Sequence, residues 1–293
     1  MIQVVRAGPL TTVQDRGRPG WAHLGVPRAG ALDQPALALA NRLVGNPPTA
    51  AGLEITLAGC TLRTRTAQLL ALTGAPAALR VAGRPASLRV AVAVPAGALV
   101  EIGPARYGVR SYLAVAGGIA VPLVLGSRST DTLAGIGPPP VRDGDLLPVG
   151  DANGTSVGAE GGTSVGADAV PWSVPADPIR LAVRLGPRDD WFTREALECL
   201  FGTPYTVSAV SNRVGVRLSG TSLARAVDGE LPSEGLVLGA IQVPADGQPL
   251  IFLADHPSTG GYPVVGVVDE VTPLAQARPG TTVRFHGPQR RPR

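Results

Sequence analysis

Apolar and polar positions alternate with a period of two over most of this chain. "LEITLAGCTLRT" (53–64) alternates cleanly, as a half-buried strand does. "IQVVRAG" (2–8) reads as a first strand. "AQLLALTG", "ALRVAG", "SLRVAVAVPAG", "ALVEIG" and "VRSYLAVAGG" follow residue 64, each closed by Gly or Pro, and predict a run of antiparallel strands. The second half repeats the habit in "IRLAVRLG" (179–186), "YTVSAV", "VGVRLSG", "LVLGAIQV", "LIFLAD", "PVVGVV" and "TTVRFHG". "PADGQP" (244–249) is a turn between two of these strands.

The pattern changes to a helical period twice. "LDQPALALANRLVGN" (32–46) has Asp33 to cap a helix, Pro35 for its first turn and Gly45 for its C′ position. Leu37, Ala40, Asn41 and Val44 then share a face, with Asn41 the polar member. A second helix is predicted after Asp189–Asp190, either of which can cap it. Phe192, Ala196, Cys199 and Leu200 form its stripe. Mostly β structure with about two helices favours closed or partly closed barrels, which hide strand edges.

Two stretches break the periodicity. Residues 11–33, "TTVQDRGRPGWAHLGVPRAGALD", form a long polar, glycine-rich connection of the kind that carries function or is disordered. Trp21 and the regular glycines argue for order. Residues 150–171 repeat "GTSVGA" at 154–159 and 162–167 and read as a low-complexity linker. The expected organisation is therefore 1–149, a linker at 150–171, and 172–293. Both copies of "GTSVG" match the G-x-S-x-G nucleophile pattern. Neither has the strand before it and helix after it that a nucleophile elbow needs.

Composition narrows the chemistry. The chain has 293 residues, 44% apolar and 16% charged, with 38 Gly and 29 Pro, a balance that favours a packed β protein over disorder. All 26 basic residues are Arg. With no lysine, this sequence offers no Walker-type phosphate lysine, no Schiff base and no biotin-carrying lysine. The net charge is +4, yet only "RRPR" (290–293) clusters, and 4% aromatic residues are too few for nucleic-acid stacking platforms. No apolar run approaches the ~20 residues of a membrane span, so a cytoplasmic protein is expected. Cys60 and Cys199 are then expected as buried thiols. Three scattered His and two Cys show no metal-ligand spacing, so no metal is expected.

Candidate chemistry sits where apolar strands meet polar loops. "ADHPSTGGYP" (254–263) follows "LIFL" (250–253) and puts Asp255 at a strand end. Thr259, Gly260 and Gly261 can present backbone N–H groups to an oxyanion, or can simply reverse the chain. "VSNRVGVRLSG" (210–220) carries Ser211, Asn212 and Arg213, whose guanidinium can fork onto a carboxylate or phosphate. "LPSEGLVLGAIQVP" (231–244) carries Ser233 and Glu234 in a turn and Gln242 among apolar residues, where it must find partners.

Taken together these blocks resemble a known family. "TTVQDRGRPGWAHLGVPRAGALD", "ANRLVGN", "LEITLAG", "GSRST", "SNRVGVRLSG", "SEGLVLGAIQVPADGQP", "DHPSTGGYP" and "LAQARPGTTVRF" occur in this order. The sequence is similar to the KipA/PxpC family, whose members are called the C subunit of 5-oxoprolinase, allophanate hydrolase subunit 2 or biotin-dependent carboxyltransferase-domain proteins. The resemblance covers nearly all of the chain except 150–171. It implies a mainly β, cyclophilin-like barrel architecture in two subdomains with a few short helices. It also implies a KipI/PxpB-like partner and a third, lactamase-like subunit, together forming an ATP-dependent 5-oxoprolinase that yields glutamate. Two alternatives come with it: carboxyl transfer to urea from carboxybiotin carried on another protein, and a non-catalytic regulator that binds its KipI-like partner.

The resemblance places Gln14, Asp15, Asn41, Ser129, Thr130, Ser211, Asn212, Arg213, Ser233, Glu234, Gln242, Asp255, Thr259, Gly260, Gly261 and Tyr262 on motif positions, as a candidate site lining. In the mechanism this suggests, Arg213 and the Thr259–Gly261 backbone steady developing negative charge, while Asp255 or Glu234 moves protons. The chain departs from the pattern at His256-Pro257-Ser258, where the family often has Gly-Gln-Thr. It departs again at Asp131, where Tyr is frequent, and in "GPPPVRDGD". These departures point to the substrate as the feature that differs.

Overall fold

The computed structural model describes residues 1–152, 176–229 and 231–287. The low-complexity segment lies, from residue 153 on, outside the described residues, as do both "GTSVG" motifs and "RRPR". The chain divides into two compact units. The first is Met1–Arg18 with Ala29–Val174, and the second is Pro19–Arg28 with Pro175–Arg293.

The first unit holds β1 (Ile2–Arg6), β2 (Thr11–Gln14), α1 (Gln34–Leu43), β3 (Gly52–Thr56), β4 (Cys60–Thr64), β5 (Gln68–Gly74) and β6 (Ala77–Val81). It continues through β7 (Arg84–Ala86), β8 (Val92–Val94), β9 (Leu99–Ala105), β10 (Arg110–Val115) and β11 (Leu146–Leu147). They form a six-stranded sheet, β11-β1-β4-β9-β6-β7, and a five-stranded sheet, β2-β3-β10-β5-β8. One core joins the two sheets. Ile2, Val4, Leu62, Val100 and Ile102 from the first meet Val13, Leu53, Ile55, Leu72 and Leu113 from the second. Helix α1 covers the other face of the five-stranded sheet, packing Leu39, Ala40 and Leu43 on Leu69, Ala71 and Ala114. Strand β10 is thus buried on both faces, which is why "RSYLAV" does not alternate. Asp33 caps α1 as expected, its side chain accepting from the Ala36 N–H at 3.0 Å, and Gly45 follows the helix with φ 75°.

The second unit holds β12 (Ile179–Leu185), α2 (Arg194–Gly202), β13 (Tyr205–Val207), β14 (Gly215–Ser219), β15 (Glu234–Gly235) and β16 (Ala240–Gln242). It ends with β17 (Leu250–Phe252), β18 (Thr259–Gly260), β19 (Val264–Val268) and β20 (Thr282–His286). Seven of these strands close a barrel, β12-β19-β16-β17-β14-β13-β20, and leave it no free edge. In β12, Ile179, Leu181 and Val183 are buried while Arg180 and Arg184 face out. The β12–β20 pair is parallel. The remaining strands, β15 and β18, form a separate two-stranded ribbon.

Two expectations need correction here. Asp189 and Asp190 lie in a 3-10 turn and do not cap α2; the cap is Thr193, whose hydroxyl accepts from Ala196 N–H at 3.1 Å. Cys60 is buried, but Cys199 is only half-buried.

Candidate functional site

The residues singled out from the sequence separate into two clusters, one in each unit. In the first unit the organiser is Asp15. Its carboxylate accepts from Ser127 Oγ and Ser129 Oγ at 2.6 Å each, and from the backbone N–H of Gly17 and Arg128 at 2.7 Å each. The Asp15 carbonyl accepts from Ala31 N–H at 3.0 Å and Gln34 Nε2 at 3.1 Å. Arg18 donates through Nη2 to the Ser129 carbonyl. Gln14 Nε2 donates to the Thr130 carbonyl at 3.0 Å. Among the described residues, Gln14 Oε1 and Thr130 Oγ1 are buried without a hydrogen-bond partner. Asp131 uses one oxygen to accept from Leu133 and Ala134 N–H, capping its own turn.

Asn41 does not join this cluster. Its amide nitrogen donates to the Ala50 carbonyl at 2.8 Å and its oxygen accepts from Asn46 Nδ2 at 3.0 Å. It therefore closes the end of α1 onto the next loop and is fully buried there.

The first unit also contains a buried polar network that the sequence reading missed. Tyr112, fully buried, donates to Glu54 Oε2 at 2.8 Å and accepts from Asp33 N–H at 2.8 Å. Glu54 Oε2 also accepts from Leu32 N–H at 3.0 Å, and Arg110 Nε lies 3.4 Å from Oε1. Burial, together with the Glu54 and Asp33 carboxylates, pushes the Tyr112 hydroxyl well above its usual range.

The second unit gathers most of the remaining candidates around residues 254–262. The ribbon pairs Glu234 with Gly260 and Gly235 with Thr259, so the "SEG" and "STGG" motifs lie side by side. Leu236 N–H donates to the Ser258 carbonyl at 2.9 Å. Gln242, 5% exposed, donates to the Tyr262 carbonyl at 3.0 Å and so ties the barrel to the loop. The two glycines differ. A Cβ at Gly260 would stand 2.7 Å from Gln242 Nε2 and 2.8 Å from Leu236 Cδ1, whereas at Gly261 it would meet nothing nearer than 3.4 Å. Tyr262 is 47% exposed, with the Arg225 guanidinium 6.0 Å from its ring centroid. Ser233 and Thr259 are exposed.

Glu234 has a partner that local sequence could not reveal. Arg188 Nε stands 3.0 Å from each of its carboxylate oxygens, and Nη2 also donates to Oε1. The hydrogen bond from Arg188 holds the Glu234 carboxyl below the usual range and raises the Arg188 guanidinium. A carboxylate held ionised in this way is a weak proton carrier and a good acceptor for a ligand N–H.

Arg213 and Asp255 form a bidentate pair. Nε donates to Oδ2 and Nη2 to Oδ1, each at 2.9 Å, with side chains 1% and 0% exposed. Backbone bonds run alongside, from Asp255 N–H to the Arg213 carbonyl and from Leu253 N–H to that of Val214. The pair staples the turn before β14 to the end of β17. Geometry of this kind positions loops. Asn212 and Ser211 serve the same turn. Asn212 Oδ1 accepts from Val214 N–H at 2.8 Å, and Ser211 Oγ accepts from Arg217 N–H at 3.1 Å. A groove of about 300 Å³ beside this turn is lined by Ser208, Val210, Arg217, Asp246, Gln248 and Pro249, with no residue of 254–263 in its wall.

Residues 24–287 match the family model described as carboxyltransferase domain, subdomain A and B. The chain belongs to the carboxyltransferase-domain family. Among its relatives, the C subunit of 5-oxoprolinase from Escherichia coli is 40% identical over 97% of this chain and 90% of that protein. The crystal structure of TTHA0988 superposes with a TM-score of 0.84 at 36% identity, over 97% of this chain and 55% of the other. The K. lactis urea amidolyase structure gives a TM-score of 0.87 at 32% identity, over 97% of this chain and 18% of that one. This carboxyltransferase-type chain thus spans little more than half of one solved relative and under a fifth of the other. Among the described residues, no cluster of three His, Cys, Asp or Glu is arranged to hold a metal, and no helix is long and apolar enough to cross a membrane.

Proposed function

We propose that this chain is the C subunit of an ATP-dependent assembly that opens 5-oxoproline, or a closely similar small lactam or amide, to its amino acid. The observation that carries this reading is the 40% identity to the C subunit of a 5-oxoprolinase, extending over 90% of that relative. The assembly is completed by a KipI/PxpB-like subunit and a third, lactamase-like subunit. ATP, used by the assembly, supplies phosphorylation of the lactam carbonyl oxygen and so a better electrophile. The chain has no lysine to hold phosphates in the Walker manner.

The part assigned to this chain is recognition and orientation. Thr259, Gly260 and Gly261 offer backbone at the ribbon, beside a Glu234 carboxylate that Arg188 keeps ionised. Gly261 N–H is suited to meet a developing oxyanion, and the Glu234–Arg188 pair holds the ribbon strand beside it. Gln242 and Arg225 fix Tyr262 at the edge. Arg213 and Asp255 hold the loop roots, and the Asp15 cluster orders residues 14–17 and 127–129 within the first unit. The hydrolase reading is tested by co-purifying the chain with its partners and assaying glutamate release from 5-oxoproline with and without ATP. Release that persists when this chain is omitted would refute it.

The K. lactis urea amidolyase likeness supports a second reading, transfer of a carboxyl group from carboxybiotin. Biotin would then arrive on another protein, since this chain has no lysine to carry it. Carboxylation of urea that needs this chain, a biotinylated partner, bicarbonate and ATP would favour that reading over the first.

A further inference from the structure

The excursion Pro19–Arg28 leaves the first unit after Arg18 and is compact with the second. Its Gly25 approaches the 254–262 loop closely: a Cβ there would stand 3.7 Å from Ser258 Oγ. Residues Ala22–Leu24 form a single 3-10 turn, ended by Gly25 at φ 75°. The left-handed φ is one that glycine adopts without strain. The turn carries two aromatic rings, Trp21 and His23, stacked with centroids 6.3 Å apart and planes 22° apart. His23 is further fixed by Nδ1, 3.1 Å from the Gly20 carbonyl. A carbonyl only accepts, so a hydrogen bond there is donated by Nδ1 and leaves Nε2 as the ring's acceptor. His23 is exposed. An exposed ring held in one tautomer and one orientation is pre-ordered for a ligand.

We propose that Trp21 and His23 form an aromatic wall of the ligand site at Ser258–Gly261. Trp21 packs on the apolar ring or chain of a small lactam or secondary amide, and His23 Nε2 accepts its N–H. This makes the excursion a determinant of substrate identity, and it rests on the reading of Ser258–Tyr262 as the ligand loop. The ligand class follows from the acceptor: a donor N–H next to a flat, partly apolar body satisfies both rings at once.

The chain has three histidines, and they serve as separate reporters. His256 lies in the ligand loop with Nδ1 2.7 Å from the Pro257 carbonyl, and His286 ends a barrel strand. The full chain, with its ring carbons labelled at histidine and its partners bound, is titrated with 5-oxoproline while the three ring signals are followed by NMR. Each signal is assigned by single substitution. The proposal expects His23 and His256 to shift together with one saturation curve and His286 to stay still. His23→Phe is expected to weaken 5-oxoproline by roughly tenfold. His23→Gln, which keeps an acceptor, is expected to recover part of the loss. N-methyl-5-oxoproline, which lacks the N–H, should bind wild type and His23→Phe equally weakly. A shift at His256 with none at His23 overturns the proposal and leaves the loop reading standing. No shift at either overturns both.

Discussion

Replacing Asp255 by Asn is the perturbation whose outcome the structure specifies most fully. The carboxylate is 0% exposed and takes two 2.9 Å hydrogen bonds from an Arg213 guanidinium that is 1% exposed. Asparagine keeps the shape but replaces one oxygen with an N–H₂ that faces a donor. The Arg213 charge is then buried without its counter-charge. Breaking a buried pair from one side costs about 3–5 kcal/mol, far above the ~0–1 kcal/mol of an exposed pair. For a chain of this size that is roughly a 6–20 °C fall in melting temperature. Arg213→Ala should fall in the same range, since it strands the carboxylate. The double substitution Asp255→Leu with Arg213→Met should be milder than either single change, because removing both charges leaves nothing uncompensated. The assay is thermal and urea unfolding of all four proteins, with turnover of the assembled complex measured on the same samples. Activity lost at an unchanged melting temperature in the single variants would refute the structural role and return both residues to the reacting centre. Wild-type stability and activity in both would show that the pair is exposed in solution.

Gly260→Ala sets a Cβ 2.7 Å from a Gln242 nitrogen that is itself held by the Tyr262 carbonyl. Turnover should fall while the barrel stays folded, which activity assays and circular dichroism check side by side. Tyr112→Phe removes the hydroxyl that joins Glu54 to Asp33 N–H and should cost about 1–3 kcal/mol in urea unfolding. Cys60, pushed up to about 12 by burial, should resist thiol reagents in the folded chain while the half-buried Cys199 reacts, so one thiol should titrate before unfolding and two after. The same shift sets a pH trend. The folded state holds the Cys60 proton after the unfolded chain has lost its own, so this contribution is intact below pH 9 and falls away between there and about pH 12. Unfolding free energy measured across that window should drop less steeply in Cys60→Ala than in wild type.

Local chemistry made some elements plain. Asp33, Pro35 and Gly45 mark α1 because a capping carboxylate, a ring that fits the first turn and a left-handed terminator are each decided within a few residues. The alternation of β12 and the turn chemistry of "PADGQP" were readable for the same reason. Helix α2 was harder. Asp189, Asp190 and Thr193 are all competent caps, and the choice falls to Phe192. Its extended backbone, at φ −115° and ψ 148°, bridges Arg225 and breaks the continuity between the two turns. Cross-chain pairing was not legible at all. Glu234 sits 46 residues from Arg188, and Asp255 sits 42 from Arg213, so neither partner leaves a local signal. Motif order led to residues 233–235 and 258–262, whose adjacency the ribbon then displays. It did not show that the polar atoms of Asn41 and Asp15 hydrogen-bond to neighbouring loops.

Gly261→Ala gives the most direct test of the proposal that the Ser258–Tyr262 loop serves lactam opening. Among the described residues its Cβ would meet the Leu231 carbonyl at 3.4 Å and Ser233 Oγ at 4.0 Å, so the fold and assembly should tolerate it. The measurement is ATP-dependent glutamate release from 5-oxoproline by the assembled complex. A fall in kcat/KM of roughly tenfold or more is predicted, with melting temperature and the make-up of the complex unchanged, because the new methyl group stands where substrate must be held closely. Wild-type kcat/KM in that variant would contradict the placement of the site.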